Sequence, residues 1–140
     1  MKKAQALDPL SLIINADLAE QLVIAHSFDE SIEQSRRTIE MDPNYAVAHY
    51  DLGGALMKKQ SYPEAIKELE SAVKLSGGSP ICKSTLACAY ARSGSKPQAL
   101  EIQKEITLQS SVRSNAAEIA LICTALHQND EAMHWLESIP

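Results

Sequence analysis

Residues 42–76, DPNYAVAHYDLGGALMKKQSYPEAIKELESAVKLS, decide the fold of this chain. Small and apolar residues recur at helical spacing on both sides of a break before Pro63, which predicts two short amphipathic helices joined by a tight turn. Pro43 and Pro63 stand where the two helices are expected to begin, because the first turn of a helix does not use the donor that proline lacks. Gly77 and Gly78 are expected to stop the second helix.

The same unit repeats along the chain with a period of 34 residues. The columns that show this period are Leu18, Leu52 and Leu86; Leu22, Leu56 and Tyr90; and Ile32, Ile66 and Leu100. Tandem helix–turn–helix units of this length are typical of a solenoid, in which each repeat packs on its neighbours.

The repeat at residues 42–76 resembles a tetratricopeptide repeat (TPR). The residues that carry the resemblance are Leu52, Gly53, Leu56, Ala65, Leu69 and Ala72, together with the Asp-Pro pairs at residues 8–9 and 42–43. The resemblance implies an all-α, right-handed superhelical solenoid of antiparallel helix pairs, with about four repeats and about eight helices. The chain is also similar to TPR segments of bacterial regulators and kinases, which implies a larger bacterial regulatory protein.

We interpret residues 1–140 as a single TPR domain. The repeats are expected at about 10–43, 44–78, 79–111 and 112–140, with 1–9 as the remnant of a preceding repeat. Because nothing precedes that remnant, we expect a fragment of a longer array rather than a truncated protein. Ser31, Ser35 and Thr38 occupy columns where the second repeat has alanine or leucine, so the first helix pair is expected to be the less stable one.

Capping and turn residues refine these boundaries. Ser11 and Ser79 are expected to cap the first helices of the first and third repeats. His26 and His127 fall in a turn column where glycine is common, which predicts a left-handed backbone there. The fourth repeat is expected to begin near Val112, one residue early against the period.

Composition limits the classes of function. The 140 residues are 45% hydrophobic but only 4% aromatic, which suits closely packed, alanine-rich helix pairs. The net charge of −5 argues against direct binding of nucleic acid. Three cysteines without CxxC spacing argue against a disulfide framework or a zinc site and favour a reducing compartment. No segment reaches the roughly 18–20 apolar residues of a membrane span, and a signal peptide is not expected, so we expect a cytoplasmic chain.

No catalytic constellation can be assembled from the sequence. His127 and His134 are separated by a turn, and two ligands without a third make a poor metal site. Cys88 or Cys123 paired with a histidine would need a third, orienting group, and both cysteines are more simply read as small buried residues. We therefore expect no enzyme activity and no cofactor, and keep an enzyme built on paired helices only as a remote alternative.

The TPR resemblance also implies a concave groove lined by the first helix of each repeat. Its expected residues, the candidate peptide groove, are Asp17, Glu20, Ile24, Val47, Tyr50, Asp51, Gly54, Met57, Lys58, Thr85, Cys88, Arg92 and Leu121. Acidic residues gather at one end of this set, with two basic residues at its rim and apolar residues between them. Such a surface suits a protein partner that supplies an apolar helix or an extended segment with a basic residue. The alternative is that these residues are merely the outer faces of helices.

Two further inferences concern partners. TPR domains that clamp the carboxylate tails of chaperones use Lys and Asn in columns where this chain has Ala16, Glu20, Asp51, Ile81 and Thr85, so chaperone-tail binding is not expected. A solenoid end without a cap leaves an apolar face in water, which makes homo-oligomerisation through the ends the alternative function. The expected end-face residues are Trp135, Leu136 and Ile139, which could instead pack on the fourth repeat's first helix.

Overall fold

A computed structural model describes residues 2–109 and 115–139 of the chain, and no strand occurs among these residues. The helices are α1 (Lys2–Leu7), α2 (Leu12–Ile24), α3 (Phe28–Met41), α4 (Ala46–Lys58), α5 (Tyr62–Leu75), α6 (Pro80–Ser93), α7 (Lys96–Gln109), α8 (Ala116–Ala125) and α9 (Asn129–Glu137). The predicted all-α class of paired helices is confirmed. The start of the fourth repeat near Val112 lies outside the described residues.

The chain forms two compact units, an N-terminal unit that ends at Gly77 and a C-terminal unit that begins at Gly78. In the N-terminal unit, α2 pairs with α3 and α4 pairs with α5, α3 packs on α4, and α1 lies against α2. In the C-terminal unit, α6 pairs with α7 and α8 pairs with α9, while α8 packs mainly on α6 and less extensively on α7. One domain over residues 1–140 stays a prediction.

Most of the predicted helix starts are confirmed. Ser11 is the N-cap of α2, and its side chain accepts a hydrogen bond from the backbone N of Ile14 at 3.4 Å. Pro63 and Pro80 lie in the first turns of α5 and α6, where proline's missing donor is not needed. Ser79 occupies the N-cap position of α6, but its side chain makes no capping hydrogen bond, so the predicted cap is not formed.

The predicted start at Pro43 is wrong, because this proline lies in the turn before α4. The backbone N of Asn44 donates to Oδ1 of Asp42 at 2.9 Å, which closes a turn around the proline. The helix then begins at Ala46, with Tyr45 as its N-cap residue. Asn44 and Tyr45 therefore precede the first helical residue, and Tyr45 lies directly at the start of the helix.

The turn inside each helix pair has a left-handed residue at the same column. The φ angles are 59° at His26, 61° at Gln60, 91° at Gly94 and 62° at His127, which confirms the prediction for the two histidines. The same hydrogen bond closes each of these turns. The residue after the left-handed one donates its backbone N–H to a carbonyl in the last turn of the preceding helix. In the second repeat this bond runs from the N of Ser61 to the O of Leu56 at 3.0 Å.

Replacing the strained glutamine in this column tests its conformation. Gln60→Gly is expected to raise the free energy of unfolding by about 0.5–1 kcal/mol, because glycine adopts a positive φ without Cβ strain. Lys67→Gly, at an exposed position in the middle of α5, is the control and should lower stability by about 1 kcal/mol. Urea denaturation of both variants measures the difference, and a loss of stability in Gln60→Gly would contradict the prediction.

Close approach of the paired helices is visible at Gly53, which lies fully inside α4. A Cβ atom at this position would lie 2.6 Å from Cγ of Leu69 and 3.3 Å from the carbonyl O of Ala65, both on α5. The equivalent residues of the other repeats, Ala19, Ala87 and Ala120, are buried. A small residue in this column therefore sets the distance between the helices of a pair.

The neighbouring glycines of α4 form a matched pair for a test. Gly53→Ala is expected to destabilise the chain by about 1–3 kcal/mol, because the added methyl overpacks the contact with α5. A Cβ at Gly54 would meet nothing within 4 Å, so Gly54→Ala should instead stabilise by about 0.5–1 kcal/mol through helix propensity. Thermal unfolding distinguishes the two, and equal effects would refute the close contact.

A buried amide network joins the first three helices. Oδ1 of Asn15 accepts from Nε2 of Gln34 at 2.6 Å and from Nε2 of Gln5 at 2.5 Å. The Nδ2 atom of Asn15 donates to the carbonyl oxygens of Pro9 and Ser11 at 3.0 and 2.8 Å. Because this asparagine is 2% exposed and fully hydrogen-bonded, it fixes α1 and the following turn against α2 and α3.

The second helix of the first repeat buries hydroxyl groups, as the sequence predicts. Oγ of Ser31 donates to the carbonyl O of Ala19 at 2.8 Å, and Oγ1 of Thr38 donates to the O of Gln34 at 2.9 Å. Oγ of Ser35 is buried without a hydrogen-bond partner in the described part of the chain, which is an unfavourable state for a hydroxyl. The lower stability of this helix pair stays a prediction.

His49 ties α4 to its surroundings. Its Nδ1 lies 2.8 Å from Oε2 of Glu68 on α5, and its Nε2 lies 2.9 Å from the carbonyl O of Pro43. Both partners present acceptor oxygens, and the tautomer of the ring decides which nitrogen donates. The ring thereby fixes the start of α4 against α5.

Candidate functional site

Three carboxylates lie together on the first helices of the N-terminal unit. Asp17 and Glu20 are exposed residues of α2, and Asp51 is a half-buried residue of α4, the helix that neighbours α2. We call these three residues the acidic face. Oδ2 of Asp51 is buried, and no described residue places a hydrogen-bond donor within reach of it.

The electrostatic effects of this arrangement are large. Burial raises the pKa of Asp51 to about 7, with the negative charges of Glu20 and Asp17 contributing in the same direction. Burial also raises the pKa of Tyr45, with Asp51 and Asp17 adding to the effect. The structure thus brings together the three acidic residues that the sequence predicts, and it adds Tyr45, whose place depends on the turn around Pro43.

The other predicted groove residues of this unit differ in exposure. Ile24 is 71% exposed and Val47 is 45% exposed, so both offer apolar surface. Tyr50 and Gly54 are half-buried, and Lys58 is exposed at the end of α4. Met57 is only 7% exposed and belongs to the core, so it offers little surface to a ligand.

The predicted groove residues of the C-terminal unit lie on α6 and α8. Sγ of Cys88 lies 3.6 Å from the carbonyl O of Leu121, which places these two residues side by side. Oγ1 of Thr85 donates to the carbonyl O of Ile81 at 3.0 Å, and Arg92 is exposed at the end of α6. Leu121 is 59% exposed.

Glu118 on α8 occupies the same repeat column as Asp51. Its Oε2 is also buried without a hydrogen-bond partner among the residues that the structure describes. Among the described residues, each unit therefore holds one buried carboxylate oxygen without a hydrogen-bond partner on the first helix of a repeat.

Two of the three cysteines, Cys88 and Cys123, are poor candidates for nucleophilic chemistry. Burial raises the pKa of the Cys88 thiol, and the positive charge of Arg92 only partly offsets this. Burial likewise raises the pKa of Cys123, with Glu131 adding to the rise and a hydrogen bond from Gln103 opposing it. Both groups are therefore thiols rather than thiolates at neutral pH.

Two negative findings hold for residues 2–109 and 115–139. No group of three or more His, Cys, Asp or Glu side chains is placed to hold a metal ion. None of the helices in these ranges has the length and apolar character needed to cross a bilayer.

The predicted end-face residues differ in exposure. Trp135 is half-buried and packs against the core of the C-terminal unit, whereas Leu136 and Ile139 are 48% and 42% exposed. Leu136 and Leu121 line a shared pocket of about 260 Å³. Trp135 lines a different groove, between α7 and α9.

The helix pairs, the 34-residue period and the left-handed turn in every repeat define a TPR-like protein. No protein-family model and no curated protein matches the chain.

Solved structures do resemble the chain. A crystal structure of MamA is 21% identical, with a TM-score of 0.72, over 98% of this chain and 81% of that one. TTC0263, a TPR protein of Thermus thermophilus, is 15% identical, with a TM-score of 0.80, over 97% and 76%. A structure of the APC/C hetero-tetramer Cut9–Hcn1 is 12% identical, with a TM-score of 0.80, over 98% and 26%. These similarities show that the chain has the TPR fold.

The raised pKa of Asp51 predicts that the free energy of unfolding depends on pH. Below about pH 4 the carboxyl is protonated in the folded and unfolded states, so it contributes no difference. As the pH rises from about 4 to about 7, the unfolded chain loses this proton while the folded chain keeps it, and stability falls. Asp51→Asn removes that loss and should be more stable than the natural chain by about 1–3 kcal/mol at pH 8.

Urea unfolding of both proteins at about pH 4.5 and about pH 8 measures this effect, because the gain should be much smaller at the lower pH. Asp17→Asn changes an exposed carboxylate of the same face and is the control, with a smaller gain expected. A gain of equal size at both pH values would contradict the burial of Asp51.

Proposed function

We propose that this chain is a protein-interaction module that binds a segment of a partner protein on the acidic face. The observation that carries the proposal is the buried, unpartnered Oδ2 of Asp51 beside two further carboxylates. A buried acceptor without a donor is unfavourable, and a basic side chain of a ligand would supply both the donor and the opposite charge.

The residues around the acidic face define the rest of the ligand. Exposed Ile24 and Val47 would contact apolar side chains, and Tyr50 combines an apolar ring with a polar tip. The preferred ligand is therefore an extended or helical peptide in which apolar residues flank a Lys or Arg. Lys58, exposed at the end of α4, would favour an acidic residue at one end of that peptide.

Two wider statements belong to the same proposal. The TPR-fold chain in the Cut9–Hcn1 structure is part of a protein complex, which supports a protein as the partner class. From the residue pattern, we propose that the module is cytoplasmic and without enzyme activity of its own. From the sequence resemblance, we propose that it is part of a larger bacterial regulatory protein.

Peptide binding can be tested with two pooled libraries. Both carry the same apolar positions, and the intervening positions hold Lys in one library and Glu in the other. The full chain should retain the Lys library, and Asp51→Lys or Tyr50→Ala should weaken the retained peptides about tenfold or more, because a charge-assisted contact or an aromatic anchor is lost. Glu40→Lys, a charge reversal on the exposed side of α3, is the control and should change affinity little.

The pH dependence of binding gives a second readout. A cationic ligand prefers the ionised form of Asp51, so affinity should rise by up to about tenfold between about pH 6 and about pH 8. Asp51→Asn should abolish that rise, which fluorescence anisotropy with a retained peptide would show. If neither library is retained, or if Asp51→Lys binds as well as the natural chain, the acidic face is not the binding site.

A further inference from the structure

A second surface lies in the C-terminal unit, in an open groove of about 730 Å³ between α7 and α9. The α7 wall presents Leu100, Lys104 and Leu108, which are four residues apart and so share one helix face. The α9 wall presents Asp130, Glu131 and Trp135. One wall is therefore basic and apolar, and the other is acidic and aromatic.

Charged residues in equivalent columns of the N-terminal unit lie close enough to form an ion pair. In the N-terminal unit, Nη2 of Arg36 on α3 lies 4.0 Å from Oε2 of Glu64 on α5, so a pair of opposite charges spans the two helices. Lys104 and Glu131 stand two repeats later in the same columns. No ion pair joins these two side chains in the described part of the C-terminal unit, and both line the groove instead.

One leucine of the groove, Leu100, is more exposed than its equivalent in the first repeat. Leu100 is 45% exposed, whereas Ile32, its equivalent in the first repeat, is 8% exposed. Leu108 is 74% exposed, and Trp135 is half-buried. Exposed leucines beside an aromatic ring and charges of both signs are the features of an association surface rather than of an ordinary helix exterior.

We propose that the occupant of this groove is a second copy of the same chain. In a twofold dimer, the α7 wall of each copy lies against the α9 wall of the other, so that every contact occurs twice. Lys104 then meets the second copy's Asp130 and Glu131, and Leu100 and Leu108 cover the second copy's Trp135. The opposite signs of the two walls favour this occupant, because a ligand of one charge would match only one wall.

Charge reversal tests the reciprocal geometry. Light scattering after size exclusion should show that the natural chain approaches twice its monomer mass as concentration rises. Lys104→Glu, and separately the double change Asp130→Lys with Glu131→Lys, should each raise the dimer dissociation constant about tenfold or more, because attraction becomes repulsion. Mixing the two variants should restore association to within about threefold, because each altered wall then meets an opposite charge.

Other outcomes would overturn the proposal. A natural chain that stays monomeric at every concentration, or two variants that stay monomeric when mixed, would exclude the reciprocal dimer. Leu136→Glu is the control for association through the end face, so a dimer that this change abolishes and Lys104→Glu leaves intact would also refute it. Circular dichroism verifies folding, and Leu108→Glu, at a 74% exposed site, provides a disrupting variant that leaves the helix core unchanged.

Discussion

The close approach of two antiparallel helices is the constraint on which the other features of this chain depend. At Gly53 the distance leaves no room for a methyl group against Leu69, and the equivalent positions of the other repeats hold buried alanine. Helices this close bury small side chains efficiently, which explains how a chain with 4% aromatic residues forms a core. Helices this close require a tight turn between them, and His26, Gln60 and His127 form such turns with a left-handed backbone.

Packing by small residues leaves the remaining faces of the first helices free to carry polar groups. Asp51 illustrates the consequence, because it lies half-buried between helices while its like-charged neighbours lie on α2. Such a position lowers stability near neutral pH, and no described donor compensates it. A buried polar group that lowers stability and has no structural partner is expected at a ligand-binding surface.

The sequence predicts the parts of the structure that depend on periodicity. The helix pairs and the acidic cluster of Asp17, Glu20 and Asp51 follow from columns spaced by one repeat. It does not predict the network around Asn15, because an amide in a helix interior reads as an ordinary polar residue until its partners are known. It also misplaces the start of α4, since the Asp42 side chain holds Pro43 in a turn that helix-start rules do not distinguish from a first helical turn.

The groove between α7 and α9 shows why surfaces are harder to predict than folds. The columns of Arg36 and Glu64 carry the same signs of charge in Lys104 and Glu131, yet among the described residues only the first pair comes within ion-pair distance. The packing between repeats also differs, because α4 lies mainly against α3, whereas α8 lies mainly against α6. Exposed charges in the same two columns therefore form an ion pair in one unit and line the two walls of a groove in the other.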